Sequence, residues 1–277
     1  MKSRRFYYYD ERRDDFANNG INGADIADDY QYLPRNILYR VFKPLVYYFV
    51  RVLCVIVLKL VMLVPQKNTR VLHKRRDLSK GYFVYSNHTT RVMDAISAPV
   101  ATFPRQCYTI VNPDAISIKG VGTLVRMLGA LPVPSSMHTS REFNKTIDRL
   151  YDRGCRIAIF PEAHIWPKYN KIREFTPVSF HYPVRLNAPC FVKTTVYRKM
   201  PGGRTRPLII YDGPFYPDPE LSPREAKEDL CRRVFRQMEK RTEEYDSAPD
   251  VRYQYIKVDS PEQVKTVVER HRRSTGK

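Results

Sequence analysis

The sequence predicts an α/β domain, a mostly parallel central sheet flanked by helices, preceded by a membrane-associated helix. Three observations carry this. From residue 80 onward, short apolar runs bounded by turn residues alternate with amphipathic stretches, and alternating strand and helix gives a mainly parallel sheet. A long apolar segment, Ile37 to Val64, stands ahead of that alternation. Hydrophobic residues make up 43% of the 277, enough to build a sizeable core.

Residues 1–36 are polar and Tyr-rich and contain Asn-Asn-Gly-Ile-Asn-Gly, so they read as a polar N-terminal arm, extended, with at most one short helix. Residues 37–66 read as a membrane-associated hydrophobic helical segment. A helix from Pro44 to Val64 would be about 30 Å long, close to the thickness of a bilayer core. Arg51 and Lys59 interrupt it, and each would cost about 2.5–3.5 kcal/mol at the centre of a spanning helix. Arg40, Tyr47, Arg51 and Lys59 share one face, which suits a helix lying in the interface. A buried core helix is the alternative; the length of the run and the basic stretch at 67–76 weigh against it.

The main domain is expected over 75–245. Strands are expected at Tyr82–Ser86, Gln106–Val111, Leu128–Val133, Cys155–Phe160, Pro189–Tyr197 and Pro207–Asp212. A helix is expected from Thr90 and another over Gly120–Met127. A third over Thr139–Arg153 has a capping box of Thr139 and Glu142, an apolar stripe of Phe143, Ile147, Leu150 and Tyr151, and Gly154 as its stop. Leu221 to Tyr245 reads as a long amphipathic helix opened by Ser222, Pro223 and Glu225. Residues 246–277 read as a C-terminal helix from Ser260 followed by a basic tail.

Charge and cysteines narrow the function classes. Forty-eight Lys and Arg against 29 Asp and Glu give a net charge of +19, which favours nucleic acid, an acidic lipid surface or a phosphorylated substrate. Twenty Tyr and 13 Phe would allow a basic stacking surface for nucleic acid. The aromatics are partly gathered in the apolar helix, however, and no binding motif appears, so no nucleic acid partner is expected. Five cysteines without a CxxC give neither a zinc site nor a disulfide framework, and reduced thiols in a cytosolic compartment are expected. No apolar stretch follows the first basic residues, so a cleaved signal peptide is not expected.

Sites in open α/β sheets form at the carboxyl ends of strands, and two features fall there. Ser86-Asn87-His88-Thr89-Thr90-Arg91-Val92-Met93-Asp94 follows the first strand of the domain. A carboxylate that shares a hydrogen bond with an imidazole fixes its tautomer and stabilises its protonated form, so His88 with Asp94 could work as a general base. No Ser or Cys nucleophile is needed if a substrate hydroxyl attacks. A His at this place also serves as a satisfied turn residue. The second feature is Ile159-Phe160-Pro161-Glu162-Ala163-His164, an apolar strand running into a proline and a carboxylate. Glu162 could face a cleft, or pair with a nearby Arg. Glu162 and His164 lack further partners at ligand spacing, so no metal is expected.

Together these features resemble the glycerolipid acyltransferase superfamily, which includes the 1-acylglycerol-3-phosphate and other lysophospholipid acyltransferases. Asn87-His88 with Asp94 matches its first block, Gly129-Ala130-Leu131-Pro132-Val133 its second, Phe160-Pro161-Glu162 its third and Ala188-Pro189-Cys190-Phe191-Val192 its fourth, across roughly residues 80–197. There are departures. Five residues separate His88 from Asp94 where the family has four, and Ala163-His164-Ile165 stands in place of Gly-Thr-Arg. Pro134-Ser135-Ser136 stands where an Arg ends the second block. The chain is similar to a bacterial subgroup with the longer spacing and a Pro-Glu-Ala-His block.

The resemblance implies a glycerol-3-phosphate acyltransferase-like fold and direct acyl transfer, with His88 as base and Asp94 orienting it. Backbone N–H groups near the strand end would stabilise the oxyanion. Asn87, Pro161, Glu162, His164 and Arg173 are expected at the bound headgroup. Arg173 is favoured over Lys119, Arg126, Lys168 and Lys171 as the phosphate ligand. The acceptor would be a lysophospholipid such as 1-acylglycerol 3-phosphate and the donor acyl-CoA or acyl carrier protein, as co-substrate, with no cofactor. The partner would be the membrane phospholipid surface, reached from the cytoplasmic face of the cell membrane. A catalytically weak lipid-binding relative is the further alternative.

Overall fold

The computed structural model describes residues 3–16, 25–73, 79–117 and 120–263. Its centre is the strand β3, Tyr82–Ser86, in which every residue is buried. Gly81 starts it: a Cβ there would lie 2.2 Å from the Cys155 carbonyl oxygen, so only glycine lets the two segments approach. β3 lies between β6 (Arg156–Ile159) and β7 (Cys190–Lys199), parallel to both. The sheet continues through β4 (Cys107–Val111) to β5 (Ala130–Pro132) on one side. On the other it runs through β8 (Thr205–Phe215) to β2 (Gln66–Lys67), giving seven strands in the order β2-β8-β7-β3-β6-β4-β5. Among the described residues only the β7–β8 pair of this sheet is antiparallel, so the sheet is mostly parallel, as expected. β2 joins the sheet well before residue 75, so the domain begins earlier than the composition shift implies.

Strand alternation sends side chains to two cores. Phe83, Tyr85, Ile157 and Val192 pack with Phe143, Ile147 and Leu150 of α4 (Met137–Asp152) and Leu230 and Val234 of α6 (Pro223–Glu244). Tyr82, Val84, Phe191 and Tyr211 pack on the opposite face with Met93 and Val100 of α2 (Val92–Ala101). Ser136, rather than Thr139, caps α4. Thr139 occupies the third helical position and completes the box with Ser136, while Glu142 pairs with Lys145 on the exposed side. A hydroxyl closes the box as well as a carboxylate does, which moves the helix start three residues earlier. Ser222 and Glu225 cap α6 as expected.

The apolar segment forms α1, Ile37–Ile56, extended by a π-helical turn over Val57–Val61. By length and composition the whole is long and apolar enough to cross a membrane. One stripe is docked on the domain. Tyr47 and Arg51 are buried. The Cys107 N–H donates to the Tyr47 hydroxyl at 2.8 Å, and the Arg51 guanidinium donates to the Arg105 carbonyl at 2.9 Å and also to the Pro99 carbonyl. Arg51 therefore sits against protein carbonyls and carries none of the lipid-burial penalty attached to it above. Leu38, Leu45, Phe49, Val52, Leu60 and Val61 lie exposed on the remainder of the helix.

The ends of the described chain differ from expectation. The arm, read as extended, is built into the fold: β1 (Arg4–Tyr8) pairs in parallel with β9 (Tyr253–Lys257), and Ile26 and Tyr32 enter the main core. The segment after α6 therefore opens as a strand. Residues 261–263 are helical; the rest of the helix expected from Ser260, and the basic tail, lie outside the described residues.

Candidate active site

The β3 strand delivers Asn87 and His88 at its carboxyl end, beside the ends of β6 and β7. Asn87 works as an extra rung. Its side chain donates to the Thr195 carbonyl at 3.0 Å and accepts from the Thr195 N–H at 2.8 Å, so the turn is fastened to β7 before His88 is reached. The His88 Nδ1 lies 3.0 Å from Asp94 Oδ2. A carboxylate only accepts, so Nδ1 carries a proton, and in the neutral ring Nε2 holds the lone pair. The ring stacks on Phe160 with centroids 4.2 Å apart. The His88 side chain is 16% exposed and that of Asp94 0%.

Asp94 sits in the first turn of α2, where a carboxylate suits the helix N-terminus. Its Oδ2 also accepts the N–H groups of Thr89 and Thr90, each at 2.9 Å. The turn over residues 89–91 thus absorbs the longer His–Asp spacing while keeping the pair in contact. Asp94 Oδ1 accepts from Lys193 Nζ at 3.1 Å, and Lys193 also donates to Ser97 Oγ at 2.8 Å. Burial alone would raise the Asp94 pKa; the Lys193 ammonium and His88 outweigh it and hold the carboxyl at about 2.

Glu162 and Arg173 do not occupy the places expected of headgroup ligands. Both are buried and pair with each other at 2.9 Å. Glu162 Oε2 also accepts the His88 N–H at 3.1 Å, and Oε1 accepts the Arg173 N–H at 3.1 Å. The guanidinium further donates to the carbonyls of Glu11, at 3.1 Å, and His164. Burial pushes the Glu162 pKa up against the pull of Arg173. The geometry makes this pair a brace beneath the His88 turn, because its polar atoms face protein. Asn87 is likewise used internally. Pro161 bridges Phe160 and Glu162, and His164 lies 3.9 Å from Asp15 of the arm. Ala163, in the glycine position of the resembled family, has φ +64° and so bears a left-handed strain of about 1–2 kcal/mol.

Other basic side chains weighed for phosphate are also engaged. Arg126 donates to the Gln31 carbonyl at 2.9 Å and covers the Tyr30 ring, and Lys168 pairs with Asp250 at 3.0 Å. Lys171 is exposed; Lys119 lies outside the described residues. The backbone N–H groups at the strand end, expected as oxyanion donors, are engaged within the protein as well. The N–H groups of His88, Thr89 and Thr90 all end on Glu162 or Asp94.

Two contributions escape sequence reasoning. One is Lys193. The other is the loop after β6, which clamps the turn: the Trp166 N–H donates to the His88 carbonyl at 3.1 Å and the Lys168 N–H to the Thr89 carbonyl at 2.9 Å. Trp166 is buried against Tyr8, Phe16, Tyr169 and Tyr255, with its indole N–H on the Asp14 carbonyl at 2.7 Å. β1 and β9 thereby hold the loop that holds His88. Two cavities flank α1, of about 570 and 450 Å³; neither is lined by His88. Among the described residues no group of three or more His, Cys, Asp or Glu is arranged to hold a metal ion.

Residues 66–197 match the family model described as Acyltransferase. Among solved structures, the 1-acyl-sn-glycerophosphate (LPA) acyltransferase PlsC from Thermotoga maritima is similar at 16% identity and a TM-score of 0.47, over 76% of this chain and 84% of that one. No curated protein matches. The matched span runs from β2 to near the end of β7 and encloses His88, Asp94, Glu162 and Lys193, so this stretch is similar to an acyltransferase domain.

Proposed function

We propose that the protein transfers a fatty acyl group from an acyl thioester, acyl-CoA or acyl carrier protein, to the hydroxyl of a lysophospholipid such as 1-acylglycerol 3-phosphate, at a membrane surface. The observation that carries this is the His88–Asp94 contact, with Nε2 on a partly exposed ring and without a hydrogen-bond partner among the described residues. In this reading Nε2 takes the acceptor hydroxyl's proton as its oxygen bonds to the thioester carbonyl carbon. Collapse of the tetrahedral intermediate breaks the C–S bond, and the proton passes from Nε2 to the departing sulfur. Asp94 stabilises the imidazolium in between. No cofactor enters these steps.

The exposed apolar side of α1 supports association with lipid, and the net charge of +19 supports anionic headgroups on the cytoplasmic face. The test uses full-length protein in detergent, palmitoyl-CoA or palmitoyl carrier protein as donor, and lysophosphatidic acid or glycerol 3-phosphate as acceptor. His88→Ala is expected to lower turnover by about 10²–10⁴-fold with the circular dichroism spectrum unchanged. Turnover near that of the unaltered protein removes His88 from the mechanism.

A further inference from the structure

We propose that Lys193 is a positioning residue of the reaction: from β7 its ammonium anchors the Asp94 oxygen that His88 leaves unused, and so sets both the orientation and the proton affinity of the His88–Asp94 pair. This rests on the reading of His88 as the base. A lysine in the middle of a buried strand is uncommon, because an ammonium without a partner there is strongly disfavoured. Lys193 is fully enclosed, in register with Ser86 at the end of β3, and points to the α2 side of the sheet, where Asp94 and Ser97 receive it. Asp94 is thereby fixed from two sides. Oδ2 serves His88 and two backbone N–H groups, and Oδ1 serves the ammonium, so the carboxylate cannot rotate away from the imidazole.

The charges give the second role. A cation close to the pair makes it harder for the imidazole to keep a proton, whichever of the two coupled groups is assigned it. Lys193 therefore opposes the effect of Asp94 and keeps the base available at lower pH. Other titratable groups around the pair do not substitute for it. Burial pushes up the phenols of Tyr197, bonded to Thr89, and Tyr211, bonded to the Ser97 carbonyl. Glu162 reaches the His88 backbone and is paired with Arg173.

The experiment compares Lys193→Met with the unaltered protein, assaying kcat/KM against pH with palmitoyl-CoA and lysophosphatidic acid in detergent. The expected result is a plateau about 10–100-fold lower and an acid limb moved upward by about half a pH unit or more, because a positive charge has been lost. Lys193→Arg, which keeps the charge, is expected to leave the acid limb in place in whatever fraction folds. A lower plateau with an unmoved acid limb in Lys193→Met makes Lys193 a folding element only and overturns the proposal. His88→Ala in the same assay separates the two readings. If His88→Ala retains turnover, the base assignment fails. If it loses turnover while the Lys193→Met acid limb stays put, only the role of Lys193 fails.

Discussion

Two buried carboxylates flank the His88 turn, and they have been put to opposite uses. Asp94 on α2 reaches the imidazole; Glu162, after β6, reaches the His88 backbone N–H. Each has one cation and two backbone donors. Yet the Asp94 pKa lies low, at about 2, while that of Glu162 is raised. Both are desolvated, so burial alone does not separate them. Asp94 differs in being held by the Lys193 ammonium and in taking the imidazole N–H of His88 itself, whose protonation it rewards; Glu162 takes only the His88 backbone N–H, is held chiefly by Arg173, and feels the imidazole only through its charge. A carboxylate is tuned for chemistry by what can gain a proton beside it, and for support by what cannot.

The largest difference between the two should appear in turnover. Asp94→Asn keeps the shape but removes the charge that fixes the tautomer, and kcat is expected to fall by up to about 10⁴-fold with the fold retained. Turnover of the Asp94→Asn protein within a few-fold of the original would erase the distinction. Glu162→Ala should instead act on stability. It leaves Arg173 buried without its partner, a loss of about 3–5 kcal/mol in urea unfolding. Because the same brace is removed twice, Glu162→Ala with Arg173→Met should lose less than the sum of the two single changes; additive losses would show that the pair is not a unit.

The smallest effect concerns pH. A carboxylate whose folded pKa is depressed stabilises the fold above its unfolded value and loses that contribution as pH falls through the folded value. For Asp94 the window runs from about 4 down to about 2 and is worth roughly 2 kcal/mol. Glu162 has the opposite sign, since acid relieves its buried charge. Unfolding free energy measured across that window should therefore fall less steeply for Asp94→Asn than for the original protein. Identical slopes would mean that Asp94 contributes no linkage.

The strand-end turn was readable because local pattern fixes it: an apolar run, a break, then His and a helix-start carboxylate within a few residues. The alternating sheet was readable for the same reason. Lys193 was not, since a single charge among Phe191, Val192, Thr194 and Thr195 does not announce which face it takes or what faces it across the sheet. A lysine in an otherwise buried strand was the available signal. Glu162 and Arg173 read as headgroup ligands through the resemblance, whereas the other reading of Glu162, a pair with a nearby Arg, is the one the structure shows; the Arg173 guanidinium is also held by the Glu11 carbonyl in the arm. The β1–β9 pairing joins distant segments with no matching periodicity, so the polar, Tyr-rich arm read as extended without showing what it pairs with.

That pairing carries a consequence for synthesis. Trp166 is wedged among side chains from β1 and β9, and its main chain grips the His88 carbonyl. On the ribosome the arm emerges well before β9, so contacts between them close late. A growing polypeptide would expose the apolar side of α1 long before the loop over His88 is fastened, so under the function proposed above lipid would be met before the site is complete.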